Sequence, residues 1–288
     1  MEPNITTNVE QNQQYTYKQF KSLLFKRIGM EELETITFDN LPSIMESFAN
    51  AVPFENLDMV SRTFKPITRD NNITKVLVNG EGGLCYNLNT LFFQFLKESG
   101  LDVIHCVATV KDPYTDIWAV PNGHMITVLT HQSKEYLVDV GFGLFLAFKP
   151  ILLNEETGVT SRCGSYRFLE MASDYGTHVL EIKKKNKETG ELYWDTGYAF
   201  KKEHAGVIAS QQAQINILED KGLLFNTYYL VCKLQKEGGQ ATLSGKDKVL
   251  VVTNENGDKQ RTENIEINSD LFNSLLIQYM GFPSKEQK

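Results

Sequence analysis

A cysteine behind two glycines, a histidine behind one, and an aspartate ahead of Gly-Phe-Gly stand in the order Cys85, His124, Asp139. These are the residue types of a thiol nucleophile, the base that activates it and the carboxylate that orients the base. Cys85 follows Gly82-Gly83-Leu84, where the glycines permit a tight turn. It precedes Leu88, Leu91, Phe92, Phe95 and Leu96, an apolar set at helical spacing that stops at Gly100. The thiol is therefore expected in the first turn of a core helix. The positive end of a helix dipole favours an anion there, and its unpaired N–H groups can hold a developing oxyanion. Read alone, Cys85 is better explained as a small buried core residue, and His124 reads equally as a hydrogen-bonded structural histidine. The case rests on the three together.

The second and third members sit on segments that read as paired strands. His124 to Leu129 and Glu135 to Val140 flank the polar stretch Thr130-His131-Gln132-Ser133-Lys134. A two-residue loop centred on His131-Gln132 sets His124 directly opposite Asp139, with Ile126 against Leu137 and Met125 against Val138. Opposed side chains have Cβ atoms about 4.5–5.5 Å apart, close enough for a carboxylate to meet an imidazole. A slip of one residue would send the two to opposite faces.

Around these segments the patterning changes twice. Residues 15 to 84 read as mainly helical: Tyr17, Phe20, Leu24 and Ile28 repeat before Gly29, and Leu41, Ile44, Met45 and Phe48 follow a possible cap at Asn40. From 101 to 200 the pattern is that of strands, including Val103 to Val110, Tyr166 to Leu169 and Val179 to Ile182. The last third mixes an expected helix over Tyr228 to Gln235 with strands near Leu243 and Val249 to Val252, a hairpin at Asn256-Gly257, and a closing helix from Ser269 to Met280. The run Lys183-Lys184-Lys185-Asn186-Lys187 invites a phosphate-binding reading. It fits a solvated hairpin better, with Glu188-Thr189-Gly190-Glu191 as the turn.

The ordered motifs resemble those of the arylamine N-acetyltransferases. Val52-Pro53-Phe54-Glu55-Asn56-Leu57-Asp58 is similar to that family's Pro-Phe-Glu-Asn-Leu signature, and Gly82 to Asn89 to its nucleophile segment. Asp139-Val140-Gly141-Phe142-Gly143 matches its aspartate motif. Gly164-Ser165-Tyr166-Arg167-Phe168, and Asn226-Thr227-Tyr228 through Leu243-Ser244-Gly245, follow in family order. The resemblance spans residues 15 to 265. It implies an α+β fold with a cysteine-protease-like core: a helical bundle (1–84), the nucleophile helix with a β-barrel (85–200), and an α/β lid (201–288). It also implies a two-step transfer of acetyl from acetyl-coenzyme A, through an acetyl-cysteine on Cys85, to an arylamine or hydrazine. His124 would move the protons and Asp139 would orient it. Gly123 is a candidate for close approach of the coenzyme A arm, and Phe54 and Phe142 for the amine pocket.

Besides Leu84, which replaces the family's aromatic and would chiefly alter packing, two positions depart from the family pattern. Glu81 stands where the family usually has Arg, and Asn87 where it commonly has Glu or Gln. A nearby anion opposes thiolate formation, so Glu81 is expected to weaken or retune the site. These departures keep alive a catalytically silent homologue that binds a ligand. A papain- or transglutaminase-like thiol hydrolase would use the same residue order.

The bulk numbers suit such an enzyme. The chain has 288 residues, 41% hydrophobic and 23% charged, enough for two or three cores. A net charge of −7 argues against a nucleic-acid partner. The four cysteines (85, 106, 163 and 232) show no disulfide or zinc spacing, so reduced thiols and no metal are expected. A polar N-terminal segment and the absence of a long apolar run lead to the expectation of a cytoplasmic protein off the membrane.

Overall fold

Thr16 starts the first helix with a capping box: its side chain accepts from Gln19 N–H, and the Gln19 side chain reaches back to the N–H of Thr16. This helix, α1 (Tyr17–Ile28), ends at Gly29, whose φ of +67° closes the last turn. It is part of a computed structural model that describes residues 13–112, 115–186, 188–220 and 222–284; the polar stretch up to residue 12 and Lys187 of the lysine run lie outside these. Next come α2 (Leu41–Ala51), a two-residue strand β1 (Phe54–Glu55), and the short helices α3 (Leu57–Val60) and α4 (Arg69–Asn72). A π-helical turn over Ile73–Val78 leads to α5 (Cys85–Glu98). The expected apolar faces of α1, α2 and α5 meet in one core. Phe20 packs edge-on to Phe95 at 5.9 Å, and Phe48 to Phe92 at 5.5 Å.

Strands dominate the middle of the chain: β2 (Asp102–Val110), β3 (His124–His131), β4 (Lys134–Val138), β5 (Ile151–Leu152), β6 (Val159–Ser161), β7 (Gly164–Ser173), β8 (Gly176–Lys185) and β9 (Leu192–Phe200). They form one antiparallel sheet in the order β5-β4-β3-β2-β9-β8-β7-β6. Beyond β5, Asn154 N–H donates to Phe168 O on β7 at 2.7 Å, which nearly closes the sheet into a barrel. Ile126, Val128, Tyr166, Phe168, Leu180, Tyr198 and Phe200 share its core.

The remainder is α6 (Gly206–Glu219), β10 (Leu230–Leu234), β11 (Gln240–Ser244), β12 (Val249–Thr253), β13 (Lys259–Thr262) and α7 (Asp270–Met280). These strands make a second sheet, β1-β10-β11-β12-β13, backed by α7. The fold is thus the expected helical bundle, barrel and lid.

Three local expectations change. Leu230–Leu234 is a strand and not a helix, because both its edges are taken by β1 and β11; a short apolar run does not by itself separate the two states. Helix α6 is absent from the sequence reading. Two of its four buried residues, Ser210 and Gln214, are polar, while Ile208 and Ile215 face outward, so its apolar periodicity is scrambled. The β3–β4 turn is Gln132-Ser133, one residue later than expected, with φ of +49° and +59° as a type I′ turn requires.

Candidate functional site

The late turn shifts the register so that Thr127 faces Val138, and Asp139 lies just past the end of β4. His124 and Asp139 are therefore diagonal and not directly opposed. The shift moves the pairing by two positions, which keeps both side chains on one face. Diagonal neighbours on a sheet remain within reach of an imidazole, and His124 Nε2 lies 2.8 Å from Asp139 Oδ2.

Cys85 enters from the other side, at the first position of α5 after the N-cap Leu84. Gly83 N–H donates to Pro53 O and Glu55 N–H to Gly83 O, so the turn is stitched to β1. A Cβ on Gly82 would fall 2.1 Å from Pro53 O, which is why no larger residue fits there. The Cys85 thiol donates to Gly123 O at 3.3 Å and interacts electrostatically with His124. Gly123 thus meets the site through its carbonyl.

The electrostatics follow from burial and partners. Desolvation alone would strip the proton from His124. The Asp139 carboxylate and Cys85 outweigh it and push the ring up to about 10. Burial would raise Asp139, yet His124, Asn89 and the Gly141 N–H hold it below its usual value. Asn89, which sequence reasoning passed over, is the hub of this support. Its Nδ2 donates to Asp139 Oδ1 at 2.7 Å and to Met125 O, and its Oδ1 accepts from Val140 N–H at 2.8 Å. The available signal was its place four residues after Cys85, on the same face of the helix. A Cβ on Gly141 would lie 2.9 Å from that amide and 3.1 Å from Cys85 Cα, so the aspartate motif needs glycine there.

Phe142 packs against His124 at 5.4 Å and Tyr198 at 5.1 Å. Tyr198, also unforeseen, lies 5.0 Å from the His124 ring, and burial together with Asp139 pushes its phenol well up. Phe54 sits apart from Phe142, against Phe225 and the buried cluster that holds Leu84, Cys85 and Ile217 of α6.

Both departures from the family pattern have local explanations. Asn87 Oδ1 accepts from Leu84 N–H at 3.2 Å and its Nδ2 donates to Asn72, so it caps the nucleophile helix. The Glu81 carboxylate turns to Lys75 at 3.4 Å, so the expected unscreened anion beside Cys85 is instead paired. In the lysine run, Lys184 binds Asp195 and Lys183 covers Trp194. Burial pushes the Cys106 and Cys232 thiols up to about 12 and also raises Cys163. Among the described residues no group of His, Cys, Asp or Glu is placed to hold a metal, and no helix is long and apolar enough to cross a membrane.

A helical bundle that delivers a cysteine to a barrel bearing histidine and aspartate defines a cysteine-centred class of fold. Within it the comparisons point one way. A family model described as N-acetyltransferase matches residues 37–282. Probable arylamine N-acetyltransferase 3 of Dictyostelium discoideum is 31% identical, over 93% of this chain and 94% of its own. The arylamine N-acetyltransferase NAT3 of Bacillus cereus, a structure distinguished by a Cys-His-Glu catalytic triad, matches at 35% identity and a TM-score of 0.81, covering 92% of this chain and 99% of that one. The arylamine N-acetyltransferase of Mycobacterium marinum, solved in complex with CoA, shares the fold at a TM-score of 0.72 and 20% identity, over 90% of this chain and 92% of that one. The chain belongs to the arylamine N-acetyltransferase family, whose members are acetyl-CoA-dependent acyltransferases.

Proposed function

We propose that the chain moves an acetyl group from acetyl-CoA to an arylamine or hydrazine in two steps, through an acetyl-cysteine on Cys85. The observation that carries this reading is the line Cys85–His124–Asp139, with His124 hydrogen-bonded to Asp139 and in electrostatic contact with Cys85. In the first step the Cys85 sulfur, its proton taken by His124, attacks the thioester carbonyl. The bond to the coenzyme A sulfur breaks, and His124 returns a proton to that leaving thiolate. In the second step the amine nitrogen attacks the acetyl-cysteine, its proton passes to His124, and Cys85 leaves. Thioester and acetyl-cysteine lie at similar energy, so the acyl group is neither trapped nor wasted. Asp139 keeps the imidazole in one tautomer and stabilises its cation, as in the Cys and Ser triads. The backbone N–H groups at the start of α5 are suited to the carbonyl oxygen as it gains charge.

The M. marinum relative bound to CoA supports the donor. Phe142 beside His124, with Phe54 near the cysteine cluster, supports a flat apolar pocket for the acceptor, and Gly123 supports close passage of the pantetheine arm. Free cysteines throughout suit a reducing compartment, and we place the reaction in the cytoplasm.

Intact mass after mixing with acetyl-CoA tests the reading. The expected result is one added acetyl group that disappears when an arylamine is supplied and never forms in C85A. A wild-type chain that gains no acetyl group, or peptide cleavage without coenzyme A, would overturn it.

A further inference from the structure

Three segments that converge on the nucleophile turn each present a carboxylate to the same ammonium group. Lys75, on the π-helical turn Ile73–Val78, lies 2.9 Å from Glu55 on β1, 3.2 Å from Asp58 on α3 and 3.4 Å from Glu81 beside Gly82. Among the described residues Lys75 is the ion-pair partner of all three, and Glu55 is only 1% exposed. Glu55 is fixed a second time, its Oε2 accepting from Leu57 N–H at 2.6 Å. Its backbone N–H is the one bonded to Gly83 O. On the far side, Arg27 of α1 donates to the backbone oxygens of Val76, Gly80 and Glu81, so it holds the chain that leads into the turn without neutralising an acid.

From this convergence we propose that Lys75 is a positioning residue for catalysis: it clamps the Gly82-Gly83-Leu84 turn against β1 and so sets where the Cys85 sulfur meets His124. The charge count explains why one lysine matters. With it, the cluster carries a net charge of −2; without it, three acids stand together, one out of water. A buried charge deprived of its partner is strongly unfavourable, and the cheapest relief is for the segments to separate or for Glu55 to take a proton. Separation would displace a turn that leads directly into Cys85. The clamp's field also reaches the next residue, because Asp58 and Glu55 add to burial in pushing the Tyr86 phenol up. The π-helical winding fits this role, since such turns persist where they place a side chain that regular helix would misdirect.

The inference rests on the proposed role of Cys85, so two readouts are needed: acetylation by acetyl-CoA, and alkylation of Cys85 by iodoacetamide, which requires no transferase activity. Displacements of an ångström at a reacting group cost up to about a hundredfold. K75M is therefore expected to slow both reactions roughly ten- to a hundredfold near neutral pH, and K75R to stay within about threefold of wild type. The titrating groups facing the clamp are Glu55, Asp58, Glu81 and Tyr86. Of these Glu55 is the acid that burial already raises, so the K75M deficit should narrow as pH falls and Glu55 gains a proton. K75M/E81R, which returns a cation from the turn itself, should recover the wild-type alkylation rate. K75M reacting at the wild-type rate, a deficit indifferent to pH, or a double variant as slow as K75M would each overturn the clamp. Should K75M fail to fold, the double variant decides alone: folded and reactive supports the clamp, unfolded or slow overturns it. A wild-type chain that is alkylated but never acetylated would sink the transferase reading while leaving the clamp to be judged on alkylation.

Discussion

At the scale of single residues, the site is a chain of hydrogen bonds with Asp139 at its centre, and each link has a measurable consequence. In the proposed transfer, protonated His124 hands a proton to the departing coenzyme A thiolate. With its ring pushed up to about 10, acetylation should hold steady through neutral pH and fall as pH rises past about 10. D139N removes the charge that outweighs burial, so that alkaline limb should move down towards neutrality; a pH–rate profile of Cys85 acetylation checks this. The same shift stabilises the fold. A raised histidine contributes fully below its unfolded value of about 6.5, and its contribution fades as pH climbs through the folded value. Asn89 makes no contact with a reacting atom, yet it holds the carboxylate of Asp139 and the backbone of Val140 and Met125, the residues next to Asp139 and His124. Removing such outer support from a catalytic ligand typically costs roughly ten- to a hundredfold. N89A should show that loss in the acetylation rate. Cys85, His124 and Asp139 were legible because their types, order and flanking glycines are distinctive. Asn89, Tyr198 and Lys75 were not, since an amide, a phenol or an amine has meaning only beside partners distant in sequence.

At the scale of elements, the barrel hairpin shows where sequence reading stops and why. Alternation along β3 and β4 fixed which side chains share a face, and His124 and Asp139 do share one. It did not fix the turn, because Gln132 and Ser133 are not residues that favour positive φ, and a turn built from them leaves little trace. That makes the turn a place to gain stability. Q132N/S133G supplies the residues a type I′ turn prefers and should raise stability by about 1 kcal/mol, seen as a higher Tm, with the acetylation rate unchanged. Gly141 is the opposite case. A methyl group there meets the Asn89 amide and the Cys85 backbone, so G141A should lower both Tm and Cys85 acetylation. Helix α6 escaped notice for a similar reason to the turn. Beside a short apolar row of Ala213 and Ile217, it is held by side-chain amides donating to backbone carbonyls, from Gln211 to Ile67, Gln214 to Lys65 and Asn216 to Pro121.

At the scale of the whole molecule, the cysteine stands where the bundle, barrel and lid meet, and a few buried polar residues tie them. Asn56 is fully buried; its Nδ2 donates to Phe225 O and Tyr228 O, and its Oδ1 accepts from Leu230 N–H at 2.6 Å. One side chain thereby fastens the segment between β1 and α3 to the entry of β10. N56A removes three side-chain hydrogen bonds from part-buried backbone groups and should destabilise the chain by roughly 1–3 kcal/mol, read from urea unfolding. The motif around Phe54 was legible as a signature, but what its Asn56 ties lies some 170 residues away and could come only from the fold. The placing of the thiols has a consequence for how this protein ages. Cys106 and Cys232 are buried and held as neutral sulfhydryls, and Cys163 leans the same way, so three of the four sulfurs are poor targets for peroxide. Cys85 is buried too, but it is the sulfur that the proposed transfer uses, so its oxidation alone should silence the chain without loosening it, and a reducing thiol should bring it back.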